Sequence, residues 1–209
     1  MSTADTARLE AFSDGVFAIA ITLLVLEIKV PSSIELMRVG GLWPALAQRW
    51  PNYVGYAMSF LIIGIMWANH HALFQYIRRV DRPLMLANLL LLMGVAFLPF
   101  PTAILAEHLA DPAARTQATV FYGATLIFTS LTFNLVWWTG RRHGRLLESN
   151  GHEPGLKTIT RRYAFSPISY VLATGLAFVN VWVSLGVHLA VAFWNARSER
   201  SERPAVQPE

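Results

Sequence analysis

The stretch Arg8–Glu27, RLEAFSDGVFAIAITLLVLE, decides how the rest of the chain is read. It is an apolar run of membrane length that carries Asp14 near its start and Thr22 in its middle. Bare hydrocarbon tolerates that pair poorly, and an ionisable residue inside a span marks a functional site by default. Both side chains are therefore expected to face protein or water. On a helix, Phe12, Gly15, Ile19, Thr22, Leu26 and Lys29 alternate by three and four, the a/d spacing of a helix that packs against its own copies. Ser13 and Asp14 project well away from that seam. One face suits a symmetry axis, the other a polar contact within the subunit.

Composition sets the frame around this helix. The chain is 54% hydrophobic and 14% charged, roughly half the charge of an average soluble domain. Apolar runs recur at about 12–30, 53–77, 84–106, 117–139 and 163–195, each near or above the roughly 20 residues a helix needs to cross a bilayer. The chain reads as an all-α integral membrane protein. Its net charge of +4 comes from arginines flanking the spans and calls for no nucleic-acid partner. The absence of cysteine excludes disulfides and thiolate metal sites. The first run ends in Glu27-Ile28-Lys29-Val30-Pro31 without a small-residue cleavage pattern, so it reads as a retained span rather than a signal peptide.

Four spans are expected at about 9–30, 51–77, 83–106 and 116–139, with Pro51 and Pro83 where a first helical turn accepts proline. The last apolar stretch, Tyr163 to Asn195, is too long for one span and short for two. Charge decides between the options. With a cytoplasmic N-terminus and six spans, the inside segments hold Arg8, Arg78, Arg79, Arg82, Arg141, Arg142, Arg145, Lys157, Arg161, Arg162, Arg197, Arg200 and Arg203, which is 13 of the 17 Lys and Arg. Lys29, Arg38, Arg49 and Arg115 remain outside, as the positive-inside rule requires. Two short helices near 163–178 and 181–195, with a turn at Val179-Asn180, satisfy that partition. Residues 78–82 then form a tight cytoplasmic turn, Gly140 to Thr160 a polar cytoplasmic loop, and both termini are cytoplasmic. Residues 1–196 make one six-span domain, and 197–209 a charged, disordered tail.

Several residues could carry chemistry. Adjacent His70 and His71, in Trp67-Ala68-Asn69-His70-His71-Ala72-Leu73-Phe74, lie about a hundred degrees apart on a helix and do not share a metal as an i, i+4 pair does. No HExxH pattern occurs, so no metal or cofactor is expected. Asp14 and Ser13 at the start of span one, and Asn69, His70 and His71 at the end of span two, come to similar depth if the spans are antiparallel neighbours. Asn88 of span three is close by. Such a polar network either holds the fold or takes part in gating. Tyr53-Val54-Gly55-Tyr56 echoes the TVGYG filter of potassium channels, but Tyr53 and Ala57 break the pattern and the match reads as coincidence. Pro99 and Pro101 should kink the outer end of span three. Thr125, Thr129, Ser130, Thr132 and Asn134 read as helix-packing residues.

The seam of span one supports a structural and a functional reading. Ile19, Leu23 and Leu26 are ordinary packing residues if the stripe simply contacts a neighbour. Around a fourfold axis they form stacked apolar rings that gate by dewetting, and the Thr22 ring replaces part of an ion's hydration shell. Gly15 and Lys29 on the same stripe leave wider mouths.

Arg8-x-x-x-Phe12-Ser13-Asp14, continuing as Gly15-Val16-Phe17-Ala18-Ile19-Ala20-Ile21-Thr22-Leu23-Leu24-Val25-Leu26-Glu27, resembles the first-helix signature of the transmembrane protein 175 family, the prokaryotic relatives of the lysosomal potassium channel. Trp67, His70, His71, Leu73 and Phe74, then Asn88 and Phe97-Leu98-Pro99-Phe100-Pro101, resemble its patterns in spans two and three. The resemblance implies a homotetramer in a prokaryotic plasma membrane, with its first helices lining a central pathway for potassium and other monovalent cations and no carbonyl filter. By position, Ile19 corresponds to a narrow isoleucine ring, Leu23 and Leu26 to further apolar rings, and Thr22 to a hydroxyl layer. Arg8, Ser13, Asp14 and His70 or His71 correspond to a polar network bracing the pore helix. Bacterial members are expected to prefer potassium over sodium only weakly, and animal members also pass protons. A proton-permeable leak is therefore one alternative. An intramembrane enzyme using His70, His71 and Asp14 is another, of a different class.

The charge partition generates a direct test. Reporters fused at Glu209 and within residues 149–154 should both report the cytoplasm. A tail found outside would rule out six spans.

Overall fold

The computed structural model describes residues 3–77, 79–142 and 153–197. Arg78, Arg145 and the tail beyond Arg197, all assigned roles in the sequence reading, lie outside those residues.

The first helix, α1 (Thr3–Leu23), buries Ser13, Phe17 and Ala20, joined by Leu24 just beyond its end, and leaves the opposite stripe bare. Its last turn tightens into a 3-10 segment at Leu24–Glu27, where the sequence reading continued the helix to about residue 30. The Asn52 amide donates to the Glu27 carbonyl at 3.3 Å, which caps the freed backbone. Two short helices follow. In α2 (Ser33–Val39), Ser32 accepts from the Glu35 N–H at 3.3 Å, the N-terminal half of a Ser-x-x-Glu cap. Gly40, at φ +86°, ends the helix in the left-handed region that glycine alone enters freely. After α3 (Leu42–Gln48), α4 (Trp50–Phe74) begins with Pro51 in its first turn. Asp81 accepts from the Leu84 N–H at 3.0 Å and starts α5 (Arg82–Phe97), with Pro83 in that first turn.

At the proline pair the regular bonding of α5 is interrupted at Leu98, whose backbone stays helical at φ −54° and ψ −35°. The helix continues past it as α6 (Pro99–His108), the two together forming one apolar span. A proline ring removes an N–H and leaves a carbonyl short of its helical donor. Pro99 has no N–H for the Val95 carbonyl, which instead accepts from the Leu98 N–H at 3.1 Å. The Leu98 carbonyl keeps its helical donor, the Thr102 N–H at 3.1 Å, and also accepts from the Thr102 hydroxyl at 2.8 Å. Since that commits the Thr102 proton, Ser59 donates to Thr102 at 2.7 Å and the Tyr122 hydroxyl donates to Ser59 at 3.0 Å. The interruption is thus tied to α4 and to α7 (Arg115–Arg141) by one directed chain.

Helix α8 (Glu153–Gly175) starts about ten residues before the expected span, so Glu153–Thr160 is helical rather than loop. The acidic Glu153 and Pro154 suit a first turn. The chain turns after a short 3-10 segment, Leu176–Phe178, and continues as α9 (Val181–Arg197). Pro167 sits inside α8 and withholds its N–H from the Tyr163 carbonyl. The Asn134 amide on α7 takes its place, donating to Tyr163 O at 2.6 Å and to Ser130 O at 3.0 Å. Thr125, Thr129 and Thr132 instead return their hydroxyls to their own helix.

Among the described residues the protein is all-helical. Four helical segments are long and apolar enough to cross a membrane: Thr6–Glu27, Trp50–Phe74, Arg82–His108 and Arg115–Arg141. Tyr163–Phe178 and Val181–Ala196 are shorter apolar helices. α1 lies against α4 and α5, while α7 packs between α5 and α8. The close approach of α7 to α8 requires Gly123, where any Cβ would overlap Thr174.

The Pro167–Asn134 pairing is testable by thermal unfolding in detergent. Asn134→Leu removes the amide donor from the part-buried Tyr163 carbonyl and should cost about 0.5–1.5 kcal/mol. Pro167→Ala returns an N–H to the same carbonyl, so the double variant should lose less than the two single losses combined.

Candidate functional site: the two faces of the first helix

The buried face of α1 meets α4 and α5 through one polar group at a time. The Ser13 hydroxyl donates to the Leu9 carbonyl at 2.8 Å. That uses its only proton, so its oxygen accepts from the Asn88 amide N–H at 3.0 Å. The other end of the Asn88 amide, its carbonyl oxygen, lies 2.9 Å from His70 Nε2. A carbonyl only accepts, so Nε2 carries the proton. The chain therefore runs His70 to Asn88 to Ser13 to Leu9, every proton assigned, and all three side chains are buried. The rings of Phe17 and Phe74 lie 5.4 Å and 4.4 Å from the His70 ring and seal it from the sides.

Asp14 makes a separate contact. Its Oδ1 accepts from the Trp67 indole N–H at 2.8 Å, on the exposed side of the same helix pair. Trp67 and His70 stand three residues apart on α4, as neighbours on one face do. Consecutive residues of α1 are thereby held by different helices, Ser13 by Asn88 of α5 and Asp14 by Trp67 of α4. The Trp67 ring stacks on His71 at 6.5 Å.

Of the residues grouped as one network from the sequence, the structure joins Ser13, His70 and Asn88 and pairs Asp14 with Trp67. Three others fall outside. His71 faces outward and bonds Gln75 at 3.3 Å, one turn along its own helix. Asn69 lines a cavity against α7, α8 and α9, away from Ser13. Arg8 is exposed and makes no side-chain hydrogen bond among the described residues. The physical reason is rotation: adjacent helical residues diverge by about 100°, so Asn69, His70 and His71 reach three different neighbours. Trp67 is the member that reasoning about the polar network left out. Its signal was present, an indole N–H that needs an acceptor, placed three residues before His70.

The opposite face of α1 has no cover within the chain. Ile19 is 60% exposed, Leu23 40% and Leu26 70%. Thr22 shares this face and donates its hydroxyl proton to the Ile19 carbonyl at 2.9 Å. Its oxygen lone pairs remain available on an otherwise apolar stripe.

Comparison with known proteins decides the family. The family model described as the endosomal/lysosomal potassium channel TMEM175 matches residues 8–99. A potassium channel of Streptomyces collinus is 46% identical over 190 residues, covering 91% of both chains. The chain belongs to the TMEM175 family. A potassium channel of Chamaesiphon minutus is 45% identical over 192 residues, 92% of this chain and 94% of its own. The crystal structure of a lysosomal potassium-selective channel TMEM175 homolog from Chamaesiphon minutus superposes with a TM-score of 0.83 at 41% identity, covering 96% of this chain and 100% of that one. The human endosomal/lysosomal proton channel TMEM175 is 36% identical over 140 residues, 63% of this chain and 27% of the human protein.

For this TMEM175 relative, the Asn88 amide is the side chain whose removal should be felt most. Asn88→Leu strands the His70 N–H and should destabilise the fold by about 1–3 kcal/mol, with Ser13→Ala adding little on top because both act on one chain of bonds. Asp14→Asn keeps an acceptor for Trp67 and should leave the unfolding midpoint nearly unchanged.

Proposed function

We propose that this protein is a potassium-permeable cation channel of a prokaryotic plasma membrane. Four copies assemble around a central pathway lined by α1, and conduction is passive. The observation that carries this reading is the division of α1 into two faces. One is fixed to its own subunit by buried hydrogen bonds, and the other offers Ile19, Thr22, Leu23 and Leu26 to something outside the chain. Relatives named potassium channels align over nine-tenths of both chains and support conduction as the purpose of that face.

In this assembly each subunit crosses the membrane six times, with Tyr163–Phe178 and Val181–Ala196 as the two short crossings. Both termini are cytoplasmic. Rings of Ile19, Leu23 and Leu26 hold the pathway nearly dry at rest, and wetting follows helix movement or side-chain rotation. Ile19 is the narrowest ring, because its β-branched side chain has little rotamer freedom. At Thr22 the hydroxyl proton points back to the Ile19 carbonyl, so the oxygen turns its lone pairs toward a passing cation and replaces part of its hydration shell.

A second reading, a proton-permeable leak, is favoured by the animal relatives named proton channels. The enzyme alternative lacks a shared centre: Asp14, His70 and His71 have three different partners. Among the described residues no three His, Cys, Asp or Glu are grouped to hold a metal.

Ion flux from proteoliposomes tests the proposal and separates its parts. Ile19→Asn should raise cation leak and weaken discrimination among monovalent cations. Thr22→Val keeps shape but removes the hydroxyl layer, so it should alter selectivity with less effect on closure. A pH-sensitive dye in the same vesicles reads the proton alternative. If both variants leave flux and selectivity unchanged in a correctly assembled tetramer, α1 does not line the pathway.

A further inference from the structure

Asn69 belongs to neither face of the pore-helix brace, yet its Oδ1 is buried and meets no donor among the described residues. A buried amide oxygen without a donor is costly, and in native proteins such atoms are paired or hydrated. Asn69 lines a cavity of about 30 Å³ bounded by α4, α7, α8 and α9, above the roughly 10–15 Å³ that one water needs by the same measure.

The opposite wall supplies what Asn69 lacks. The Ser166 oxygen accepts from the Ser130 hydroxyl at 3.0 Å and from the Asn195 amide at 3.2 Å. Those two bonds fill its lone pairs and leave its own O–H as a donor. One wall thus presents a spare donor, the other a spare acceptor, with room between them for a molecule that accepts once and donates once. The remaining lining side chains, Met66, Phe133, Tyr163 and Tyr170, offer no charge to hold an ion.

We propose that this cavity is a binding site for an internal water, which accepts from Ser166 and donates to Asn69 Oδ1. The water ties α4 to the α7–α9 half of the subunit. It meets α4 at Met66 and Asn69, a direction different from that of the brace, so the helix that carries Trp67 and His70 is held by two separate contacts. The site is independent of what the protein conducts.

Radiolytic hydroxyl-radical labelling of the full chain in detergent, read by mass spectrometry, tests it. Bound water split by X-rays labels the side chains around it. Met66 and Tyr170 are buried and touch the cavity, whereas Phe17 is buried in the core away from it. The unmodified protein should show label at Met66 and Tyr170 and none at Phe17. Asn69→Leu and, separately, Ser166→Ala should each lose the Met66 and Tyr170 label. Met66 and Tyr170 as silent as Phe17 in the unmodified chain would overturn the site, whatever the variants do. Label that persists unchanged in both folded variants would also overturn it, because neither proposed partner would then be holding the water.

Discussion

The Asn88 side chain is the junction on which the rest depends. An amide has a donor end and an acceptor end, and here the two ends face different helices. Buried among apolar side chains, neither end can be left open without a cost of order 1–3 kcal/mol. Satisfying both at once fixes the rotation of α1 and α4 against α5. The final acceptor is a main-chain carbonyl of α1 itself. It gives every proton upstream a single direction. A helix as apolar as α1 could otherwise roll against its neighbours with little penalty, since lipid tails and leucine side chains are nearly equivalent surroundings.

The same logic operates wherever the backbone is interrupted. Pro167 frees the Tyr163 carbonyl, and Asn134 from the neighbouring helix occupies it. At Leu98 the regular bonding is interrupted, and Thr102, Ser59 and Tyr122 form a line of hydroxyls that ends on the Leu98 carbonyl. At Tyr163 a side chain from another helix supplies the missing donor, as the absence of water in hydrocarbon demands, and at Leu98 the hydroxyl line ties the irregular turn to α4 and α7. The polar character of α7 thereby finds its use. Ser130 and Asn134 serve other helices, while the threonines serve their own.

With its inner face fixed, the outer face of α1 is defined by subtraction. Ser13, Phe17, Ala20 and Leu24 are taken by the subunit, so Ile19, Thr22, Leu23 and Leu26 are what remain. The pathway proposed for this face would inherit its geometry from the brace behind it. The Ser13 and Asp14 contacts lie one to two turns from Ile19, close enough for the brace to set where that side chain points.

Much of this was legible in the order of residues alone. Membrane character followed from run lengths and low charge, helix starts from Pro51 and Pro83, and the exposed seam from three-and-four spacing. These are local properties, carried by a few consecutive residues and by periodicity. The family was legible too, because a contiguous signature carries it. What the sequence could not give was rotation and partnership. Asn69, His70 and His71 are adjacent in the chain but diverge in space. Whether a polar residue at a given depth meets Asn88, Gln75 or a cavity depends on which neighbouring helix stands at that angle. The partners themselves lie far apart in sequence: Ser13 finds Asn88, Asp14 finds Trp67, and Asn134 finds Tyr163. No local pattern encodes such pairings. Packing three helices around one two-ended amide selects them, because only that arrangement leaves each buried donor facing an acceptor.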